Sequence, residues 1–450
     1  TQDYRVLQPR LVSDPNGNRT EVAFDALGLV VGTAVMGKPP PAPAEGDSLA
    51  GFIADFPPDQ ISDPLKLFIA APRKACDSNP KESEASRIVH ELLKSATTRI
   101  VYDLDRFRLL GEPPFAATIA RETHVSDLKN GQPSRLQISI SYSDGFGREI
   151  QKKIQAEPGP APLRDAAGKI MLDADGQPQM SADVVSPRWV GSGWTIFNNK
   201  GKPVRQYEPF FTDTHGFEFD VRVGVSPVLF YDPAERVVAT LHPNHTYEKV
   251  VFDPWQQTTY DVNDTCALPA PKPDQPPSRE TGDPRTDPDI GGYVAEYFKT
   301  QPASWQTWHA QRMGGAKGSD ENNAAERAAT HADTPTTAHF DSLGRPFLTV
   351  ARNRVVCLYH DLDGNEDSLA TRVELDIEGN QRMVRDAITH TEALDEAGLR
   401  VKVDDPLGRL VMRYAYDMLG NRIHQLSMEA GARWMLNDVA GKPIRAWDSR

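Results

Sequence analysis

Apolar and polar residues alternate along several short segments of this chain. The alternation is clearest at residues 136–142, where Leu, Ile, Ile and Tyr alternate with Gln, Ser and Ser, and it recurs at residues 217–223 and 410–416. Because successive side chains of a strand point to opposite faces, this period of two predicts strands with one buried and one wet face. Such strands are typical of antiparallel sheets, whereas parallel sheets need longer apolar runs and regular intervening helices.

A short turn phrase recurs between these segments. It consists of a hydrophobic or small residue, then Asp or Asn, two variable positions and Gly, usually followed by Asn, Arg or Lys. Asp accepts hydrogen bonds from nearby backbone N–H groups, and Gly supplies the positive φ of a tight reversal. Each copy therefore predicts a strand, a turn and a strand, and such repeats usually build an extended surface. The copies lie at residues 13–18, 24–28, 340–345, 375–380, 404–409 and 416–421.

Two kinds of segment interrupt the repeats. The proline run at residues 37–43 cannot join a central strand and is expected to be exposed. Residues 80–96 predict a helix that packs against a sheet, because a cap at Asn79, Pro80 and Glu82 precedes an apolar stripe. That stripe consists of Ile88, Val89, Leu92 and Leu93.

These patterns predict a mainly β fold. We expect antiparallel β-hairpin repeats that form a curved strip or part of a hollow shell, with a few short inserted helices at residues 291–313 and 320–331. The chain divides into five predicted regions: N-terminal hairpins at 1–36, a proline-rich loop and helical insertion at 37–98, an antiparallel β region with degenerate repeats at 99–266, a proline-rich linker and short helices at 267–335, and regular hairpins at 336–450.

Composition narrows the class of protein. The net charge of −13 and the lack of a basic run argue against a nucleic-acid or anionic-membrane partner. No stretch approaches the roughly 20 apolar residues that cross a bilayer, so we expect a soluble protein. Cys76, Cys266 and Cys357 are few and widely separated, which predicts buried thiols and no disulfide framework. No signal peptide is visible, and we expect a fragment because the chain starts with Thr1 and ends within a repeat.

The short sequence motifs of this chain give little support for catalytic or metal-binding chemistry. His242 and His245 are three residues apart, but Pro and Asn between them favour a turn over a metal site. Residues 361–367 resemble a calcium loop, yet Arg372 occupies the position of the bidentate Glu. Residues 191–194 lack the third Gly of a dinucleotide fingerprint.

The recurring Asp residues are best explained as turn formers. The tryptophans at positions 189, 194, 255, 434 and 447 are predicted in strands, where a core or sheet-face role outweighs carbohydrate binding. We therefore assign no catalytic, cofactor-binding or metal-binding residue and expect no enzymatic activity.

The turn phrase at residues 416–422, Tyr-Asp-Met-Leu-Gly-Asn-Arg, resembles the YD repeat of the Rhs family. Longer phrases are similar to the C-terminal part of the B component of bacterial Tc insecticidal toxin complexes, and the similarity covers most of the chain. These phrases lie at residues 252–258, 331–335, 373–380 and 416–450.

The resemblance implies a structural role. In that family the B and C components form a hollow shell of β-hairpins, which holds the toxic C-terminal segment of the C component unfolded before delivery through the A-component channel. It implies a C component as shell partner and cargo, contact with the A component through regions absent from this chain, and a secreted toxin complex. Neither the family's N-terminal region nor its propeller gate is visible, and no catalytic residue is transferred.

A sheet with a wet face suits such a container, because polar side chains would offer an unfolded cargo no large apolar patch. Two alternatives stay open. The chain could be a cell-surface or adhesion YD-repeat protein. It could also be a glycoside hydrolase-like enzyme, for which the only support is the abundance of carboxylates, 63 in all.

Overall fold

The computed structural model of the chain describes residues 1–55, 84–129, 132–173, 176–268, 280–357, 365–394 and 400–449. The chain forms two compact units, Thr1–Ser226 and Pro227–Arg450. Both are mainly antiparallel β with a few short helices, which confirms the predicted fold class. The boundaries of the five sequence regions stay a prediction.

The first unit contains a nine-stranded antiparallel sheet. Its strands are β1 Gln2–Asp3, β2 Gln8–Pro9, β3 Leu11–Ser13, β4 Arg19–Phe24, β5 Val30–Met36, β6 Thr98–Asp103, β7 Phe115–Arg121, β8 Leu136–Ser143, β9 Glu149–Ala156, β10 Arg188–Gly191, β11 Thr195–Phe197, β12 Pro203–Gln206 and β13 Phe210–Thr212. The sheet order is β13-β10-β9-β8-β7-β6-β5-β4-β3, and β1-β2 and β11-β12 form separate pairs. The helices are α1 Glu84–Leu93 and α2 Arg106–Leu110, with a 3₁₀ turn at Val125–Asp127.

The second unit contains a twelve-stranded antiparallel sheet. Its strands are β14 Val228–Tyr231, β15 Val237–Leu241, β16 Tyr247–Phe252, β17 Gln256–Tyr260, β18 Thr336–Phe340, β19 Pro346–Arg354, β20 Glu366–Leu375, β21 Gln381–Arg385, β22 His390–Leu394, β23 Arg400–Asp404, β24 Leu410–Tyr416, β25 Arg422–Ser427, β26 Gly431–Asn437 and β27 Pro443–Asp448. The sheet runs in sequence order except that β24 pairs with β21, and β22-β23 form a separate pair. The helices are α3 Gly291–Phe298, α4 Trp308–Arg312 and α5 Ser319–Ala329.

The turn phrase closes hairpins as predicted. At Asp341 the backbone carbonyl accepts a hydrogen bond from the Gly344 N–H at 2.9 Å. The Asp341 carboxylate accepts from the N–H groups of Leu343 and Arg345 at 2.9 and 3.0 Å. Gly344 has φ 73°, and the register between β18 and β19 shifts after His339. The unit is a tight turn followed by a left-handed residue and a β-bulge.

One predicted copy differs from the others. Gly408 N–H donates to the Asp405 carbonyl at 3.0 Å, so the turn forms, but β23 and β24 on either side of it do not pair. Two ion pairs explain why β23 and β24 do not pair. Arg385 contacts Asp405 at 2.7 Å, and Arg409 contacts Asp386 at 2.5 Å. These contacts direct β24 back onto β21 instead of onto β23.

The strand predicted at residues 217–223 is wrong. Asp220 has φ 55°, which breaks an extended strand. The polar Glu218 is nearly buried while Phe219 is 75% exposed, so these two positions are the reverse of what the alternation predicts. The reason is electrostatic: Lys153 and Arg164 both contact the Glu218 carboxylate and hold it inward.

The core of the first unit forms where helix α1 covers the sheet. Val89 and Leu93 pack against the inward side chains of β7 and β8, which confirms the predicted amphipathic helix. The capping residues Asn79, Pro80 and Glu82 lie outside the described residues. The buried sheet residues are Phe115, Ala117, Ile119, Ile140, Tyr142 and Trp189. This packing leaves one sheet face covered.

A long insertion separates β17 from β18, yet the two strands pair directly. The described part of the insertion contains three short helices, where the sequence predicts two. Glu280, Asp287 and Ile290 lie in the described end of the proline-rich segment, and all three are buried. The described end of this segment is therefore packed structure and not an exposed loop.

Two glycines of one turn allow a test of whether the turn requires a residue with positive φ. In the turn between β8 and β9, Gly147 has a positive φ of 77°, whereas Gly145 does not, and a Cβ at either position would meet no atom within 4 Å. Gly147→Ala should lower the free energy of unfolding by about 1–2 kcal/mol, because L-residues are strained there. Gly145→Ala should change it by less than about 1 kcal/mol, in the stabilising direction. Equal losses in urea unfolding would contradict this explanation.

Candidate functional surface

One face of the nine-stranded sheet is open and carries polar side chains together with apolar ones, such as the exposed Ile154 opposite Ser139. We use the term open face for the face that carries Thr118 of β7, Gln137, Ser139 and Ser141 of β8, and Lys152 of β9. Ser139 lies opposite Thr118, and Ser141 lies opposite Lys152. These side chains are exposed or half-buried, whereas the other face carries the core under α1. The alternation seen in the sequence thus separates a dry face from a wet one.

A buried charged centre lies on the covered side. Lys153 of β9 is fully buried and contacts Glu218, whose carboxylate also accepts from Arg164 at 2.7 Å. Arg164 contacts Asp213 at 2.9 Å as well. Burial lowers the pKa of Lys153, and the attraction of Glu218 opposes that shift. Each charge is balanced, so the centre acts as a cross-link and not as an acid or base awaiting a substrate.

Residues 163–173 and 176–179 form a compact three-way junction beside this centre. Leu163 N–H donates to the Gln179 carbonyl at 2.7 Å, Met171 N–H to Leu163 at 2.9 Å, and Gln179 N–H to Met171 at 2.9 Å. The three backbone segments therefore close a ring of hydrogen bonds. Two further copies of the turn, starting at Asp165 and Asp173, bring the segments together.

A crevice of about 580 Å³ lies between this junction and residues 218–223. Its charged walls are already partnered within the protein, since Arg164 contacts Glu218 and Arg222 contacts Asp220 at 2.6 Å. Lys169 is exposed at the rim. These pairings leave no convergent set of unmet polar groups of the kind that defines a ligand site.

The two histidines lie in a turn, as the sequence favours. His245 has φ 70° and replaces the Gly of the turn phrase, while its N–H donates to the His242 carbonyl at 3.0 Å. The His245 ring stacks on Trp305 at 5.0 Å, and its Nδ1 lies 2.7 Å from the Gln306 carbonyl. His245 therefore fastens the insertion to the hairpin.

No group of three His, Cys, Asp or Glu residues that could hold a metal occurs within the described part of the chain. Most of the calcium-like segment, residues 361–364, lies outside that part. Residues 191–194 end β10 and lead into β11. Cys266 is buried as expected, whereas Cys357 is exposed, and Cys76 lies outside the described residues.

The tryptophans divide between core and surface. Trp189 is buried in the core, and Trp434 and Trp447 lie opposite each other on β26 and β27. The expected strand position is wrong for Trp255, which is 60% exposed in the turn between β16 and β17, and Trp194 precedes β11. The pair at positions 434 and 447 is exposed, as are Leu436 and Ile444 on the same two strands.

Sequence reasoning missed the buried lysines Lys153 and Lys249, which are both fully buried. A signal was present, because each lies at an inward position of an alternating strand. In β16, Lys249 shares a face with Tyr247 and Val251. A Lys at such a position predicts a buried carboxylate partner, although the strand alone does not identify which one.

Together these features define a class: a protein of repeated antiparallel hairpins with inserted helices. Solved structures of toxin complexes share this fold. The chain is similar to the crystal structure of TcdB2-TccC3, with a TM-score of 0.51 and 19% identity over 100% of this chain and 17% of that chain. A Photorhabdus luminescens Tc holotoxin pore gives a TM-score of 0.50 and 18% identity over 100% of this chain and 19% of that chain.

The similarity establishes a Tc-toxin-like fold, and the chain spans less than a fifth of the length of these two neighbours. No family model matches the chain. No curated protein matches it either. None of the described helices combines the length and apolar character needed to span a membrane.

The charged centre can be tested with two equivalent substitutions. Glu218→Gln leaves the buried Lys153 without its anion and should lower the free energy of unfolding by about 3–5 kcal/mol. Asp220→Asn, two residues away, breaks the exposed pair with Arg222 and should cost less than about 1 kcal/mol. Chemical denaturation of both variants measures the difference, and a similar loss for each would refute the cross-link role.

Proposed function

We propose that this chain is a non-enzymatic structural segment of a Tc-like toxin B component. It would contribute to the β-shell that encloses the toxic C-terminal part of a C component before translocation. The observation that carries this proposal is the likeness of fold over the whole chain to TcdB2-TccC3 structures. The Rhs-type turn phrases, which recur in both units, support it independently.

The open face is the part of the chain that suits an enclosed polypeptide. Its small polar side chains, such as Ser139 and Thr118, lie among apolar ones such as Ile154 and so interrupt the apolar surface. A lining of this kind would hold an unfolded cargo without binding it firmly. We infer that the C component is both the shell partner and the source of the cargo, in a secreted complex that also contains an A component.

The role of the Asp residues supports a non-enzymatic function. The hydrogen bond from the Arg345 N–H lowers the pKa of Asp341 below its usual value, and the Asn421 side chain does the same for Asp417. A general acid needs a raised pKa to hold its proton near neutral pH. These carboxylates stay ionised as acceptors within their turns.

Complex formation is the direct test. Co-expression with the C component encoded beside this chain should yield a stable complex on size-exclusion chromatography with light scattering. Electron micrographs of that complex should show a hollow particle. A compact solid monomer that ignores every C component would overturn the proposal, and a neighbourhood without A and C genes would favour an adhesion protein.

The open face makes a second prediction. Ser139→Leu with Thr118→Leu creates a cross-strand apolar pair, which should raise the affinity for a permanently unfolded reporter polypeptide at least several-fold. Thr123→Leu with Lys129→Leu adds the same number of leucines in the loop after β7 and is the matched control. Fluorescence anisotropy measures both. Tight reporter binding by the unaltered chain would contradict a non-adhesive lining.

A further inference from the structure

Five successive hairpin turns lie side by side at one edge of the twelve-stranded sheet. They join β16 to β17, β18 to β19, β20 to β21, β24 to β25 and β26 to β27. All neighbouring strands of this series are antiparallel, so the five turns are at the same end of the strands. The turns are residues 253–256, 341–344, 376–379, 417–420 and 438–441.

Neighbouring turns of this row contact each other. The Arg345 guanidinium, which follows the second turn, donates to the carbonyls of Asp376 and Ile377 in the third turn at 3.3 and 3.4 Å. Asn421 has the same position after the fourth turn, and its Oδ1 lies 3.4 Å from the point that a Cβ on Gly441 would occupy. The residue after the Gly of the turn phrase therefore reaches the next turn, and the row is continuous.

The variable positions of the turn phrase place large apolar side chains at the tips of these turns. Ile377 is 93% exposed and Met418 is 100% exposed. A contiguous set of exposed apolar side chains marks an interaction site, whereas single ones are ordinary on a protein surface. We use the term apolar ridge for the exposed tips of the five turns, which are Trp255, Leu343, Ile377, Met418, Leu419 and Val439.

The geometry of the sheet sets the repeat of the apolar ridge. Adjacent strands lie about 4.8 Å apart, so successive turns are about 9.5 Å apart and the five turns extend over about 38 Å. A straight α-helix repeats an apolar stripe every seven residues, or about 10.5 Å, and would be about 4 Å out of register at the far end. A second row of hairpin turns has the matching repeat.

The Asp carboxylates of these turns are bound within the turns. Asp341 accepts hydrogen bonds from the N–H groups of Leu343 and Arg345, and it also contacts the Arg345 guanidinium at 2.7 Å. Asp417 accepts from the N–H and the side-chain amide of Asn421 at 2.9 and 3.0 Å. Carboxylates held in this way leave the apolar tips free to meet a second row of the same composition.

The size of the row suits a dimer. Five turns of four residues supply about 20 residues, and each partner of a standard protein interface contributes roughly 20–30. The apolar tips would form the centre of such an interface, and the polar atoms of the turns would form its rim. A two-fold axis brings the same surface of two copies together.

We propose that the apolar ridge is a self-association surface, at which two copies of this chain dock with their rows of turns antiparallel. The matched repeat and the row of exposed apolar tips carry this inference. In this arrangement the third turn, residues 376–379, meets the same turn of the second copy, and the first turn meets the fifth. The proposal concerns the chain without any other component and is independent of the shell function proposed above.

Sedimentation equilibrium of the full chain alone tests the proposal. The chain should form a reversible dimer with a dissociation constant on the order of micromolar. Ile377→Lys with Met418→Lys places charge within the apolar ridge and should raise that constant at least about tenfold. Val356→Lys with Leu407→Lys is the matched control, because these residues are 53% and 50% exposed at the opposite end of the same sheet.

The control pair should leave the dissociation constant unchanged. A chain that stays monomeric at every concentration would overturn the proposal. Equal weakening by the two pairs of substitutions, or no weakening by either, would also overturn it.

Disulfide cross-linking tests the antiparallel arrangement by a second route, in a background with Cys76→Ser and Cys357→Ser. Under mild oxidation Ile377→Cys should form a covalent dimer, because a disulfide joins only residues that lie close together. Val439→Cys copies should cross-link to Trp255→Cys copies and not to each other, and Leu407→Cys should stay monomeric. Failure of Ile377→Cys to cross-link more than Leu407→Cys would refute the inference.

Discussion

The structure depends on one local interaction, the closure of a five-residue turn by an Asp carboxylate and a left-handed residue. In the turn at Asp341 the side chain and backbone carbonyl together satisfy three N–H groups that a reversal would leave without partners. The left-handed residue then produces a bulge that sets the register of the two strands. Because a register error of one residue would exchange the faces of a strand, the turn also decides which side chains are buried.

A register set locally lets the sheets tolerate long insertions. Strands β17 and β18 pair directly although the whole helical insertion lies between them, and β21 pairs with β24 across a separate hairpin. The insertions are then fixed by interactions of another kind. Stacking of His245 on Trp305 and the buried contacts of Lys249 join the helical insertion to the sheet, while Lys153 and Glu218 hold an irregular segment in the first unit.

Buried charge distinguishes the attachments made by Lys153 and Lys249 from the rest of the core. Removing one member of a buried ion pair leaves an unsolvated charge. A buried ion pair therefore tolerates the loss of one partner less well than an apolar contact does. The turn carboxylates of Asp341 and Asp417 differ from such buried groups, since their hydrogen bonds lower their pKa values.

The sequence by itself determined the elements whose causes are local. The Asp–Gly turns, the alternation of β8 and the apolar stripe of α1 each depend on residues within a few positions, and the mainly β antiparallel class follows from them. Only the tertiary structure decided the rest. The course of residues 217–223 and the direction of β24 depend on ion pairs with distant partners, as does the burial of Lys249, whose carboxylates lie more than thirty positions away in the chain. Spacing along a chain does not reveal which opposite charges meet, because that choice is made when the segments pack.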